Sequence, residues 1–323
     1  MSAMQGATSN NVFKSSSEQN TNMQIALGPV QYYWPREQMF DFYAQACEWP
    51  IDRVYLGETV CSRRHELRLD DWLEIASELS KAGKQVVLST QVLLESRIEL
   101  RTLGRITGQQ DYLIEANDMG AVHQMQGRSF VAGPFLNIYS PPALSLLAAQ
   151  GATSWVMPLE MDQQGLNAML KECPADLQTE VFAFGRMPLA FSARCFTARN
   201  RNLPKDNCQY VCLEYPDGLL LQTQEGQPFL NINGIQTQSA LVYNLIQELP
   251  ILQAMGVNRI RLSPQSQHMD VIVGIFNQVI QAQINVDTAL STIMSLQVAD
   301  SCNGYWHGQP GQEMLLTSAA SFS

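Results

Sequence analysis

Residues 53–90 read RVYLGETVCSRRHELRLDDWLEIASELSKAGKQVVLST, and their pattern is that of one βαβ unit. Two short aliphatic runs, RVYLGE (53–58) and QVVLST (85–90), flank LDDWLEIASELSKAG, an amphipathic stretch that ends at Gly83. Glycine there suits the left-handed residue that commonly closes a helix. Aliphatic strands separated by helices pair in parallel, with helices covering the sheet.

The same alternation runs through the chain. Further strands are expected at QIALGP (24–29), DYLIEAN (111–117), FVAGPFLN (130–137), SWVMPLE (154–160), EVFAFGRM (180–187) and RIRLSP (259–264). Helical patterns fall between them: REQMFDFYAQACEW, VLLESRIELRTLGR, SPPALSLLAAQG, ALVYNLIQELPILQAMG and SQHMDVIVGIFNQVIQAQ. Two more of these end at glycine, Gly151 and Gly256. Eight strands predict an α/β fold, a (β/α)8 TIM-like barrel, complete or distorted, over residues 23–306. A chain of 323 residues exceeds the usual single core, but a barrel routinely holds about 250 residues in one domain. The structural rival is a doubly wound open sheet. Its dinucleotide-binding version loses support because GPVQYYWPRE, not GxGxxG, follows the first strand.

The interval 188–238 is too long for a plain βα loop and reads as an inserted, cysteine-bearing subdomain. Residues 1–22 are rich in Ser, Asn and Gln and lack a cationic end followed by an apolar run. They are expected to be a disordered extension or an upstream start, not a secretory signal. Residues 307–323 form a tail.

Hydrophobic residues make up 46% and charged residues 15%, so a large core can be buried. The formal charge of −10 argues against broad capture of nucleic acid or anionic membrane. No apolar run is long enough to insert in a bilayer. Seven cysteines, an odd number, in a large chain fit reduced thiols or metal ligands in the cytoplasm better than a disulfide framework.

Cys195, Cys208 and Cys212 cluster in SARCFTARNRNLPKDNCQYVC, and Cys61 lies far upstream in VYLGETVCSRRHE. Cys61 follows the second strand and Cys195 the seventh, so a barrel puts both on its C-terminal face, where barrel enzymes place their chemistry. Three grouped thiols and one distant partner suit a 4Fe–4S cluster, in which each corner iron takes one thiolate. A zinc site usually shows two close Cys pairs, whereas only Cys208 and Cys212 form one. Zinc and unligated core thiols remain the alternatives. Cys47 and Cys173, at helix ends, read as packing or surface residues, and Cys302, in ADSCNGYWHG, is ambiguous.

Arg186, Arg194, Arg199, Arg201 and Lys205 occur with no acidic residue between 186 and 205, and Arg63 and Arg64 follow Cys61. Such guanidiniums could offset the charge of a thiolate-bound cluster and orient an anionic substrate, or form a solvated loop. The histidines, His65, His123, His268 and His307, show no HExxH spacing, and no GxSxG occurs. Glu58 and Glu115 sit at strand ends facing the barrel mouth, for proton transfer or ordinary hydrogen bonding. The run Tyr32–Tyr33–Trp34–Pro35 either lines a pocket or seals the barrel.

The segments LGPVQYYWP, VYLGETVCSRR, GKQVVLST, LIEANDMG, LAFSARCFTAR, PKDNC, INGIQT, RLSPQ and DSCNGYW closely resemble the UbiV subfamily of the collagenase-like peptidase family, from about Met23 to about Trp306. The resemblance implies a barrel-like fold and a part in oxygen-independent hydroxylation of ubiquinone precursors. Its cluster thiols fall on Cys61, Cys195, Cys208 and Cys212. It also implies a UbiU-like partner in a heterodimer and suggests prephenate as the source of the inserted oxygen. Two rival functions come from other classes: a peptidase, without a recognisable nucleophile–base pair, and a non-catalytic scaffold or lipid-intermediate carrier stapled by its cluster.

Overall fold

The computed structural model describes residues 23–316. The expected extension at 1–22 lies outside the described residues, as does the end of the tail. Seven parallel strands follow one another, β1 (Gln24–Leu27), β2 (Arg53–Leu56), β3 (Gln85–Ser89), β4 (Leu113–Ala116), β5 (Phe130–Ala132), β6 (Ala152–Val156) and β7 (Gln178–Phe191). After β8 (Leu219–Gln222), β9 (Pro228–Asn233) and β10 (Gln236–Asn244), strand β11 (Arg259–Leu262) slots between β7 and β1 and closes an eight-stranded barrel. A short β12 (Ser301–Cys302) pairs in parallel with β10. The fold is the TIM-like barrel that the strand pattern predicts.

Alternation along each strand divides the apolar residues in two. Ile25, Leu27, Val54, Leu56, Ile114, Phe130, Trp155, Val181 and Ile260 face outward into the main core beneath the helices. Ala26, Tyr55, Val87, Val131 and Val156 form a separate cluster inside the barrel. Both faces are covered, which is why the strands read as almost unbroken apolar runs. The helix Leu69–Lys81 seats Trp72, Ile75, Ala76 and Leu79 on this core. The helices before Gly83, Gly151 and Gly256 do end at residues of positive φ, at 83°, 115° and 80°.

The barrel interior also holds ionised groups. Glu180 of β7 accepts from Arg261 Nε at 2.6 Å and from the Tyr55 hydroxyl at 2.8 Å, with Arg53 and Arg259 at 3.7 and 3.8 Å. Arg261 also meets Glu115 at 2.7 Å and lies 3.9 Å over the Tyr55 ring. All five ionised side chains are 5% exposed or less, which such groups tolerate only when paired.

Strand β7 does not stop at the barrel rim. It runs for 14 residues, and its outer half pairs antiparallel with β10, to which β9 and then β8 are added. This hairpin sheet occupies much of the long interval 188–238. In contrast to the helix that the apolar spacing predicts from Ala240, ALVYN (240–244) is the end of β10, and the helix is confined to Leu249–Ala254. The residues 241–243 are aliphatic and aromatic, and their backbone is held by β7 on one side and β12 on the other. Strand pairing outweighs a helical apolar spacing in so short a window.

Candidate functional site

The loop that carries Cys61 is held by two carboxylates. Glu58 Oε1 accepts from the Val60 and Cys61 amides at 2.9 and 3.0 Å, and the Arg64 amide donates back to the Cys61 carbonyl at 3.0 Å. Ser62 Oγ donates to Glu99 at 2.5 Å, and Glu99 in turn caps the helix Arg97–Thr107. Glu58 and Glu99 therefore shape the loop from within.

Cys195 precedes the short helix Phe196–Asn200, and its Sγ accepts from the Ala198 amide at 3.4 Å. Three bonds pin this stretch to the β9–β10 turn: Ser192 N to Ile235 O at 2.9 Å, Phe196 N to Gly234 O at 2.9 Å, and Gly234 N to Thr197 Oγ1 at 2.9 Å. Cys61 and Cys195 thereby pack into one small cluster with Val60, Ile235 and Phe191. Between Cys208 and Cys212 the backbone turns back through Gln209 and Tyr210, both left-handed at φ 51° and 54°.

The four thiols form a connected group. Cys61 lies within electrostatic range of Cys195, and Cys212 within range of both Cys195 and Cys208. Arg64 stands among them, beside Cys61 and Cys212. It is only 4% exposed, and it donates through Nη1 to Gln31 O and through Nη2 to Asn233 Oδ1, each at 2.6 Å. Glu58 is 3.6 Å from it, and the Tyr33 ring lies 5.5 Å below. Burial works against the Arg64 charge, but Glu58, Cys212 and Cys61 more than offset it. Burial pushes the Cys61 thiol up to about 11 and raises that of Cys212, with Arg64 opposing both shifts. Any metal held here must displace thiol protons.

The remaining cysteines lie in the main core. Cys302 is fully buried in it, and Cys47 and Cys173 pack against its edge. The basic residues around the thiols are less free than their sequence spacing implies. Arg63 pairs with Asp206, Arg201 with Glu214, Lys205 with Glu95, and Arg186 is buried against the carbonyls of Ser239 and Ala240. The acids that neutralise them come from outside the 186–205 window, which is why the window looked uniformly cationic. In the aromatic run, Trp34 Nε1 donates to Pro216 O at 2.7 Å, Tyr33 Oη accepts from His65 N at 3.0 Å, and both rings line a small pocket with Tyr32.

Sequence reasoning missed a buried amide network under the thiols. Asn233 Nδ2 donates to Gln31 O at 2.7 Å and to Gln236 Oε1 at 2.9 Å, and Gln236 and Gln238 both donate to Gln31 Oε1. Its trace in the sequence is NINGIQTQ, where amides alternate on each side of the Gly234–Ile235 turn, at Asn231 and Asn233 and again at Gln236 and Gln238. A cleft of about 940 Å³ opens beside the Cys61 loop, walled by Trp72, Leu88, Ile98, Arg105 and Lys205.

Four soft donors on one face suit a thiolate-bound metal group. No three His, Cys, Asp or Glu side chains among the described residues are placed to hold a single metal ion. A cubane spreads its thiolates over four corners, whereas a single zinc ion draws its ligands to one point.

A parallel barrel with a thiol-bearing insertion at its C-terminal mouth defines the class. The profile of Peptidase family U32 matches residues 39–315, all four thiols included, and the chain belongs to that family. Among solved structures, it is similar to the U32 peptidase Mk0906 at 10% identity and TM-score 0.43, over 76% of this chain and 94% of that one. It is also similar to a truncated 3-deoxy-D-arabino-heptulosonate 7-phosphate synthase from Thermotoga maritima, at 9% identity and TM-score 0.36, over 87% and 90%. Among the described residues no helix is long and apolar enough to cross a membrane.

Proposed function

We propose that Cys61, Cys195, Cys208 and Cys212 hold a 4Fe–4S cluster, and that the protein is the cluster-bearing subunit of an oxygen-independent hydroxylase acting on ubiquinone precursors. The observation that carries this reading is that Cys61 packs with Cys195, and Cys212 comes near Cys195 and Cys208, with the buried Arg64 beside Cys61 and Cys212. When bound, the cluster would supply one-electron chemistry, since four thiolates leave no iron without a protein ligand. Arg64 would offset the negative charge of the thiolates, and Glu58 would keep the Cys61 loop in place. The motif resemblance, not the geometry, carries the UbiU-like partner, prephenate as oxygen donor and a cytoplasmic location.

Protein purified without oxygen should be brown and contain about four irons and four sulfides per chain. Zinc in place of iron after anaerobic reconstitution would defeat the cluster assignment. Deleting the gene should leave aerobic ubiquinone unchanged, abolish it anaerobically, and accumulate a precursor lacking one ring hydroxyl. Normal anaerobic ubiquinone in that strain, with no substitute gene, would remove the hydroxylase reading. The family's own name favours one second reading, peptidase activity; release of fragments from denatured collagen by the purified chain would support it.

A further inference from the structure

The C-terminal mouth of the barrel contains a second arrangement of buried polar groups. At the top of the barrel bore is an enclosed space of about 20 Å³, room for roughly one or two waters. Arg261, Glu115, Gln31, Thr59 and Phe182 line it. Four residues, Pro134, Phe135, Leu159 and Pro188, line both this space and an outer cleft of about 230 Å³. The two are thus the neck and the vestibule of one funnel. Val92, Phe135, Leu159, Leu189 and Phe191 give the vestibule an apolar wall, and Asn137 and Glu160 also line it.

Arg261 is 4% exposed, and its Nη2 is buried without a hydrogen-bond partner. An orphaned guanidinium donor in such a place is costly unless an acceptor completes it. Glu115 does not meet that need, because Oε1 faces Nη1 while Oε2 accepts from Ser89 at 2.7 Å and Asn117 at 3.3 Å. Inside the barrel three guanidiniums, Arg53, Arg259 and Arg261, face two carboxylates, Glu115 and Glu180, so a charged acceptor is favoured over a neutral one.

We propose that the funnel binds a small carboxylate with an apolar body, its oxygens in the neck against Arg261 and its body in the vestibule between Phe135, Leu159 and Phe191. The funnel adjoins the thiols. Phe191, 5.2 Å from Phe135 in an edge-to-face pair, also packs on Cys61 and Cys195. Gln31 lines the neck while its carbonyl accepts from Arg64. The ligand body would therefore sit one aromatic layer from the thiol group. The proposal goes beyond the cluster assignment and stands whether or not the thiols hold iron.

Calorimetric titration of the anaerobically purified full chain with phenylacetate and with phenylacetamide tests it, with iron content read separately on the same sample. Phenylacetate should bind at least tenfold more tightly than the amide. Arg261→Gln should lose most of that preference, and Phe135→Trp, which fills the vestibule without touching the ion network, should abolish binding while leaving the thermal midpoint intact. Equal binding of acid and amide, undiminished binding in Phe135→Trp, or no binding of either probe up to about 10 mM (roughly 2.7 kcal/mol of affinity) would overturn the proposal.

Discussion

Arg64 donates to Gln31 O and Asn233 Oδ1 and lies beside Glu58, so losing its charge strands a buried acceptor and a half-buried carboxylate. Arg64→Met should destabilise the chain by about 2–4 kcal/mol in urea unfolding. Arg64→Lys should recover less than half of that, because an ammonium cannot fork to two acceptors. A methionine variant with an unchanged midpoint would refute this account of the site. The cysteines make a second prediction: alanine at Cys47, Cys173 or Cys302 should leave the iron content intact, whereas alanine at Cys61 or Cys195 should remove it. Iron loss in Cys302→Ala would show that the ligand set is wrong. The thiols could be singled out in the sequence because cysteines are few and their spacing is unusual. Arg64 could be suspected only because it follows Cys61. Gln31, Asn233 and Gln236 could not be foreseen, since an amide becomes a network member only when strands distant in sequence bring another amide to it.

Strand β7 belongs to two structures, barrel and insertion, and two of its residues bear the consequence. Gly185 has φ 124°, and a Cβ there would lie 2.5 Å from the Ser263 Cβ. Gly185→Ala should therefore cost about 1–3 kcal/mol, whereas Gly274→Ala, in a helix with nothing within 4 Å, should be neutral or gain up to about 1 kcal/mol. Thermal midpoints of the pair give the comparison, and equal shifts would count against the strain argument. Glu180 supplies a pH dependence. Burial pushes its carboxyl up, but Arg261, Arg259 and Arg53 together hold it below the usual range. A depressed folded-state value gives stability that is complete above the unfolded value of about 4.3 and is lost as pH falls through the folded one. The stability gap between the native chain and Glu180→Gln should thus narrow between about pH 5 and pH 3. A gap independent of pH would mean that Glu180 is not ionised. The eight barrel strands were legible because burial on both faces writes short aliphatic runs, interrupted only where a charged residue such as Arg53, Glu115 or Arg261 turns into the bore. The β10 segment was not, because ALVYN satisfies helix and strand patterns alike until β12 and β7 are there to pair with it.

The barrel closes through its most distant strands. β1 pairs with β2, which begins at Arg53, and with β11, which ends at Leu262. The (β/α)8 topology followed from counting strands, but what fills the bore did not, because Arg53, Glu115, Glu180 and Arg261 lie in four strands whose registry only the closed ring sets. A chain cut before Arg259 would leave β1 and β7 as open parallel edges, the kind that aggregate. Such a truncation should be recovered as insoluble protein, and a soluble, cooperatively unfolding product would contradict this. The same closure imposes an order on biosynthesis. As the ribosome emits the chain, Cys61 appears early and Cys212 late, yet β10 cannot gain its last neighbour until Ser301–Cys302 has been made. Under the cluster proposal, iron and sulfide would therefore reach these thiols only on a nearly finished polypeptide, and pulse-labelled nascent chains should acquire neither until translation is almost complete.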